Sequence, residues 1–433
     1  MVFPGSASEN IDLRWLFLDL NSYFASVEQQ ENPALRDRPV IVTPVASEGT
    51  CAIAASYEAK AFGIRTGTPV REARRLCPGV KAVMARHDVY VDYHHRIVDV
   101  IEQHMHVTKV CSIDEVACEL LGRERQPDKA IAIARAMQAD ILRKVGECMR
   151  SSVGIGPSVL LAKTGSDMQK PAGLTVLEFR DLPGKLLRLD LGDFCGIGRN
   201  MERRLRAAGV TDVAQLWALS PGRMRGIWGG IGGERFWYGL HGIDPPDIET
   251  TRRSIGHSHV LGPKLRNAPA ARLVARRLLT RAASRLRRAD CKAAGLSLAI
   301  RSVDRRWRDK AARFVLTADT FHLLNVLGEL WAGLVRDGER LAVLQVGVTL
   351  FGLKPGAGLT PDLFGWAPGH EEDAQRLNLS NAIDRINQRY GGEMVCIGAP
   401  PAGLPPYIGA KIAFTRVPER EDFRGIDPEA HTL

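Results

Sequence analysis

A chain of 433 residues is too long for one hydrophobic core and fits about three domains. Its 45% apolar content is that of a globular protein rather than a disordered one, and the apolar run at residues 15–20 is too short to cross a bilayer and contains Asp19. With 59 Lys and Arg against 49 Asp and Glu, the net charge is +10, which favours an anionic partner, either nucleic acid or a membrane surface.

The opening MVFPGSASEN has neither a basic n-region nor an apolar h-region, so a cytoplasmic protein without membrane attachment is expected. The 8 cysteines are scattered with no Cys-x-x-Cys pair, which argues against a zinc site or a disulfide framework.

Residues 11–180 mix β-rich runs at 16–20, 40–45, 110–113, 116–121 and 152–155 with helical periodicity at about 22–30, 89–105 and 127–145. That is an α/β or α+β pattern. The first run ends in Asp19, which either terminates a strand or presents a carboxylate at a sheet edge for a metal. Residues 52–75, broken by Gly63, Gly67 and Pro69, read as a small helical insert.

Residues 182–246 become short helices divided by glycines. Gly196 and Gly198 precede one helix, and a second glycine turn at 229–233 precedes another. The pattern is that of a helix–hairpin–helix, whose tight turn aims backbone N–H groups at a phosphate. Two such units in a basic segment point to a grip on the DNA backbone.

From 250 to 353 the order reads strand, helix, strand, strand, helix, strand. The first helix carries Leu278, Ala282 and Leu286 on one side and Arg277, Arg281, Arg285 and Arg288 on another. Arg301, Arg305, Arg306, Arg308, Lys310 and Arg313 continue this charge onto the strands, and between 252 and 313 only Asp290, Asp304 and Asp309 oppose it. The imbalance suits a phosphate-binding surface, with Arg253, Arg277, Arg281 and Arg305 as DNA-contact candidates. From 354 onward the chain is rich in Pro and Gly and reads as an extended tail with one short helix at 378–389.

The second acidic element, Cys111-Ser112-Ile113-Asp114-Glu115-Val116, places two carboxylates between β-forming residues. Burying them requires a cation or a partner. Successive strand residues face opposite ways, so both acids serve one site only at a bend. With Asp19 they make three carboxylates, enough to hold two Mg²⁺ ions if substrate phosphates complete the coordination.

Four stretches carry a resemblance when taken together: DLNSYFASVE, SYEAKAFGI, CSIDE and GIGPSVLLAKTGSDMQKPAG. Their order resembles that of Y-family translesion DNA polymerases, and with the GIG hairpin and RSIGHSHVL the resemblance covers about residues 11–353. It implies an α+β multidomain, right-hand polymerase. Its parts would be a palm (11–24 and 87–181), small fingers (25–86), a helical thumb (182–246), a βαββαβ little finger (250–353) and a C-terminal tail (354–433). The implied activity is DNA-templated DNA synthesis past lesions, by a monomer acting on primed template DNA and dNTPs with two Mg²⁺, or Mn²⁺ in their place.

By the same resemblance Asp19, Asp114 and Glu115 are the catalytic and metal-binding acids, with the Leu20 carbonyl as a further ligand. Phe24 is the steric gate against a ribose 2′-OH, beside a packing Tyr23, and Tyr57, Lys60 and Lys170 contact the triphosphate. The chain departs from the pattern at Asn21, where the family often has Asp, at Lys60, where Arg is common, and at Ala54, where a hydroxyl is frequent. Residues 360–364, Thr-Pro-Asp-Leu-Phe, resemble a sliding-clamp motif without its leading Gln, with Leu363 and Phe364 as the inserting pair. The stretch NAIDRINQRYGG resembles the polymerase V tail. A different class, a non-catalytic clamp-tethered DNA-binding accessory of a mutagenesis complex, would not need the three acids. A nucleotide cyclase with a related palm would not need the hairpins or the arginine-rich domain.

Overall fold

The run Trp15–Leu20 forms strand β1 with all six side chains buried, as expected of a strand covered on both faces. The computed structural model describes residues 13–246, 251–336, 339–356, 370–390, 394–398 and 417. These separate into two compact units, one up to residue 246 and the other covering 251–398.

In the first unit β1 is followed by α1 (Tyr23–Glu31), β2 (Val40–Thr43), β3 (Ala54–Ala55), α2 (Tyr57–Ala61), α3 (Val70–Leu76) and β4 (Lys81–Met84). Next come α4 (His87–Glu102), β5 (Lys109–Val110), β6 (Glu115–Glu119), α5 (Pro127–Lys144), β7 (Ser151–Gly156), α6 (Val159–Met168) and β8 (Leu174–Val176). The main sheet has the order β5-β6-β1-β7-β8, with β1 at its centre and antiparallel to both neighbours. Asp19 at the end of β1 stands opposite Glu115 on one side and Ser152 on the other.

Helix α6 lies unusually close to this sheet. A Cβ on Gly154 would sit 1.9 Å from the Ala162 carbonyl oxygen and 2.3 Å from the Ser166 nitrogen. Only glycine leaves room for the helix backbone at that point.

The insert expected to be helical differs. It contains the strand β3, which joins β2 and β4 on either side of the insert in a three-stranded sheet β3-β2-β4, with β4 parallel and β3 antiparallel to β2. Only the short α2 and α3 are helical, and Gly63 and Gly67 make the left-handed turns between them. A two-residue strand such as β3 is too short to show a period of two in the sequence.

Beyond β8, helices α7 (Arg199–Ala207), α8 (Val213–Trp217), α9 (Pro221–Trp228) and α10 (Ile231–Leu240) share one core around Phe194, Leu205, Leu216 and Leu240. Leu161 of α6 joins that core. Gly196 (φ 96°) and Gly229 (φ 79°) take the left-handed turns before α7 and α10, which supports the glycine-hinged hairpins read from the sequence.

The second unit contains β9 (Ser254–Val260), α11 (Ala268–Arg288), β10 (Cys291–Ser302), β11 (Trp307–Thr317), α12 (Thr320–Leu334) and β12 (Val343–Phe351), the expected βαββαβ order. A two-residue strand β13 (Lys354–Pro355) pairs with β10, and helix α13 spans His370–Tyr390. The sheet order β11-β10-β12-β9 is antiparallel throughout. Leu278, Ala282 and Leu286 of α11 lie in the core with Leu327 and Leu330 of α12.

One expectation changes here. Helix α13 has 21 residues, against the short helix expected at 378–389, and most of the rest of the tail lies outside the described residues. Another arginine of α11, outside the charged side read from the sequence, turns inward. The Arg287 side chain is 7% exposed and pairs with Asp384 of α13, while also donating to the Ala318 carbonyl and the Thr320 hydroxyl. A helix held by a remote arginine and by a buried Ser380 leaves little trace in its own periodicity. Leu363 and Phe364 lie outside the described residues. Among the described residues no helix is long and apolar enough to cross a membrane.

The contact under Gly154 is testable. Gly154→Ala should cost roughly 1–3 kcal/mol by overpacking and lower the thermal midpoint. Gly79→Ala, where a Cβ would meet nothing within 4 Å, should leave it close to wild type. Equal midpoints for the two variants would show that α6 does not need the close approach.

Candidate active site

Cross-strand register sets the first pair of carboxylates. Asp19 and Glu115 are directly opposed on β1 and β6, so their side chains project to the same face of the sheet. Asp114 precedes the strand, at a bend closed by the Cys111 and Ser112 N–H groups, which both donate to the Glu115 carbonyl at 2.9 and 3.1 Å. This bend lets adjacent acids share a site. The Ser112 hydroxyl lies 2.5 Å from Asp114 Oδ1 and 3.2 Å from Glu115 Oε2, and the Leu20 N–H donates to the Asp114 carbonyl at 2.8 Å. Behind the bend, buried His94 donates from Nδ1 to the Ile113 carbonyl at 2.8 Å.

Two lysines neutralise this corner. Lys163 Nζ lies 2.5 Å from Asp19 Oδ2 and 2.7 Å from Glu115 Oε1. Lys170 Nζ lies 2.7 Å from Asp19 Oδ1 and 2.8 Å from Asp167 Oδ1. Burial works against both ammonium charges, but the field of Asp19 and its neighbours outweighs it, and both lysines hold their protons above the usual lysine range. Asp114 moves upward as well, first through burial and then through Asp19 and Glu115, with the Ser112 hydroxyl opposing.

Lys163 and Asp167 escaped the sequence reading. Their signal is the i, i+4 spacing of Lys163 and Asp167, which puts a cation and an acid on one helix face just before Lys170.

The neighbouring residues converge as expected in part. Tyr57 is half-buried, and its phenol is pushed up by burial, with Lys170 pulling the other way. Lys60 donates to the Ser22 hydroxyl at 2.7 Å and lies 4.3 Å from the centroid of the Tyr57 ring. Phe24 is partly exposed and stacks on Tyr90, with centroids 4.4 Å apart and planes 17° from parallel. Tyr23 is buried and donates to the Tyr90 carbonyl at 2.6 Å, a packing role.

Tyr90 is itself fixed by Glu28, which is 2% exposed. Its hydroxyl donates to Glu28 Oε1 at 2.7 Å, and Arg86 grips both Glu28 oxygens at 3.1 and 2.7 Å. Burial, and then the Glu28 carboxylate, push the Tyr90 phenol well above its ordinary value.

The DNA-contact candidates do not all belong to this corner. Gly196 and Gly198 are exposed at the start of α7, in the first unit. Arg253 and Arg305 are exposed in the second unit, while Arg277 and Arg281 are half-buried on α11. Part of the arginine surplus is spent within that unit, because Arg306 pairs with Asp304 and Arg308 with Glu339.

Asp19, Asp114, Glu115 and the Leu20 carbonyl offer only oxygen donors, which fits a hard divalent cation. Among the described residues no three His, Cys, Asp or Glu groups converge as a ready metal cage. Instead the Lys163 ammonium bridges Asp19 and Glu115, at a point where positive charge is already favoured. The donor set therefore fits such an ion provided that Lys163 swings aside.

Residues 18–167 match the impB/mucB/samB family, and residues 252–363 match the impB/mucB/samB family C-terminal domain. The chain belongs to this family. It is 33% identical to a DNA polymerase IV of Moorella thermoacetica over 89% of this chain and 95% of that one. A DNA polymerase IV of Pelotomaculum thermopropionicum is also 33% identical, over 90% and 96%. Among solved structures, a Y-family DNA polymerase chimera of Dbh and Dpo4 shares the fold with a TM-score of 0.67 at 23% identity, covering 79% of this chain and 99% of that one. The chain is thus a Y-family DNA-directed DNA polymerase of the translesion type, with the right-hand fold of palm, fingers, thumb and little finger.

Two outcomes follow for this Y-family site. A carboxylate raised in the folded state adds stability that is complete below its unfolded pKa and lost as pH rises through the folded one. Asp114→Asn should therefore raise the thermal midpoint at neutral pH, with the gain shrinking as pH falls into the carboxylate range. A constant gain across that range would rule out this origin. Glu28→Ala should cost about 3 kcal/mol by leaving Arg86 and Tyr90 without their acceptor, whereas Glu119→Ala, at a surface pair with Arg14, should cost below about 1 kcal/mol. Chemical denaturation measures both.

Proposed function

We propose that the Asp19–Asp114–Glu115 corner is the site of nucleotidyl transfer onto a primer 3′-OH, with two Mg²⁺ ions as the resident metals and Mn²⁺ able to replace them. The observation that carries this is the register of Asp19 opposite Glu115 with Asp114 at the adjoining bend. Three oxygen-donor side chains thereby border one corner. When bound, the metals would lower the pKa of the attacking hydroxyl and offset charge on the leaving oxygen. The primer 3′-oxygen bonds to the α-phosphorus of a dNTP, the bond to the bridging oxygen breaks, and pyrophosphate leaves.

In this reading the chain's own residues orient the substrates. Lys170, Lys60 and the Tyr57 hydroxyl face the β- and γ-phosphates, where cations and a donor offset the charge that builds up on the leaving group. Phe24 closes the sugar side of the pocket against a 2′-OH, and its stacking on Tyr90 supports a rigid wall. The Leu20 carbonyl would be a further ligand to a bound metal.

The parts of the hand are assigned as palm (11–24 and 87–181), fingers (25–86), thumb (182–246) and little finger (250–353). Gly196 and Gly198 would present N–H groups to the DNA backbone, and Arg253, Arg277, Arg281 and Arg305 would do so with guanidinium groups. Residues 360–364 would engage a sliding clamp through Leu363 and Phe364. The relatives named as DNA polymerases and a solved Dbh relative described as an insertion ternary complex support primed DNA and dNTP as the substrates. The non-catalytic accessory reading finds no support, since all three acids are present and border one corner.

Asp114→Ala and Glu115→Ala should abolish Mg²⁺-dependent extension of a primed template; normal extension by either would reject the site. Phe24→Ala should admit ribonucleotides, raising the rNTP:dNTP ratio of kcat/KM by about two orders of magnitude if the lost wall was worth about 3 kcal/mol. An unchanged ratio would mean that Phe24 is not the gate.

A further inference from the structure

Asn21 stands two residues after Asp19, at a position where the family often has Asp, and its side chain has only 2% of its surface exposed. Its amide bonds to strand β7 and to the loop that follows α6. Asn21 Nδ2 donates to the Ser152 hydroxyl oxygen at 3.0 Å, and Asn21 Oδ1 accepts the Ala172 N–H at 2.7 Å. Ser152, itself 0% exposed, accepts the Gly173 N–H at 3.3 Å and lies 3.2 Å from the Gln169 carbonyl oxygen. With Asn21 Nδ2 donating to the serine oxygen, the Ser152 hydroxyl has two acceptors in reach, the Gln169 carbonyl and Asn21 Oδ1, each at 3.2 Å.

Two buried side chains thus hold residues 169, 172 and 173, and Lys170 lies between the pinned points. The loop needs holding. Ala172 has φ 56°, a left-handed conformation that costs a residue with a Cβ. Gly173 folds so tightly that a Cβ there would sit 1.9 Å from the Gln169 carbonyl oxygen. At the far end of this arrangement the Lys170 ammonium meets Asp19 and Asp167.

We infer that Asn21 and Ser152 are positioning residues that set the Lys170 ammonium where it meets the triphosphate of the incoming nucleotide. This rests on the assignment of Lys170 to the triphosphate. The amide suits the role better than a carboxylate for two reasons. An Asp at 21 would still accept from Ala172, but it could not donate to Ser152, whose proton would then be drawn away from Gln169. It would also place a second anion near Asp19, competing for the Lys170 charge. Asn21 therefore does not mark a lost metal ligand; it ties the strand that carries Asp19 to the loop that carries Lys170.

The test is steady-state primer extension with varied dNTP, using Asn21→Ala, Asn21→Asp, Ser152→Ala, Lys170→Ala and the Asn21→Ala/Lys170→Ala double variant. The Kd for primed template and amide exchange across residues 169–176 are measured on the same preparations. Asn21→Ala and Ser152→Ala should raise the dNTP KM roughly three- to tenfold, the scale of one or two lost buried hydrogen bonds. The Kd for primed template should be unchanged, and exchange across the loop should be faster. Asn21→Asp, which keeps the Ala172 acceptor and the residue's size, should fall between wild type and alanine, and carries the test if the alanine variant does not fold. The double variant should be no worse than Lys170→Ala alone, because both changes remove the same contact. If Lys170→Ala raises KM while the Asn21 and Ser152 variants do not, or if the effects multiply, the positioning role is wrong. If Lys170→Ala itself leaves KM unchanged, the triphosphate assignment fails and the positioning role fails with it.

Discussion

A carboxylate at the buried end of a central strand survives only if positive charge meets it, and at Asp19 two ammonium groups do so. Lys163 and Lys170 take one oxygen each, at 2.5 and 2.7 Å. Removing either partner would leave part of a charge desolvated, at a cost larger than the net gain of the intact pair. Much of the first unit serves this meeting. The sheet brings Glu115 opposite Asp19, the bend at 112–114 turns Asp114 toward the same corner, α6 carries Lys163 and Asp167, and the loop after it carries Lys170. The arrangement is stable without being inert, since the same negative field that raises the lysines would also draw a divalent ion.

The other side of the pocket is built on a different principle. Glu28 is buried within α1, but its oxygens are fully used by Arg86 and Tyr90. The network fixes α1 against α4 and holds the Tyr90 ring under Phe24. A ring stacked on an anchored neighbour moves only at the cost of that stacking.

How far the sequence reveals this molecule depends on the range of the interactions. The strand ending in Asp19, the acidic bend at 114–115, the glycine-hinged helices and the βαββαβ order were legible, because each is coded by neighbouring residues. Strand β3, inside the insert at 52–75, was not, since it has two residues and exists only through its pairing with β2. Helix α13 was underestimated because one of its anchors is Arg287, nearly a hundred positions away, and no local periodicity points to that pairing. At the site, Lys163 went unnoticed because lysine is usually a surface residue, and only the fold shows it between two acids. Asn21 was seen but read as a departure; its meaning lies in Ser152 and Ala172, which no local pattern connects to it.

The close seat of α6 on β7 has a consequence for how accurately the corner is built. With no side chain between the Gly154 backbone and the helix, there is no compliant spacer whose rotamers could let the helix slide or tilt. Close-packed backbone deforms far less readily than side-chain layers. Lys163 and Asp167 are therefore indexed to the same strands that carry Asp19 and Glu115, as parts referenced to one datum. Thermal movement of the sheet carries donors and acceptors along together, and the tolerance of the site is set by the swing of two lysine side chains rather than by the fit between a helix and a sheet.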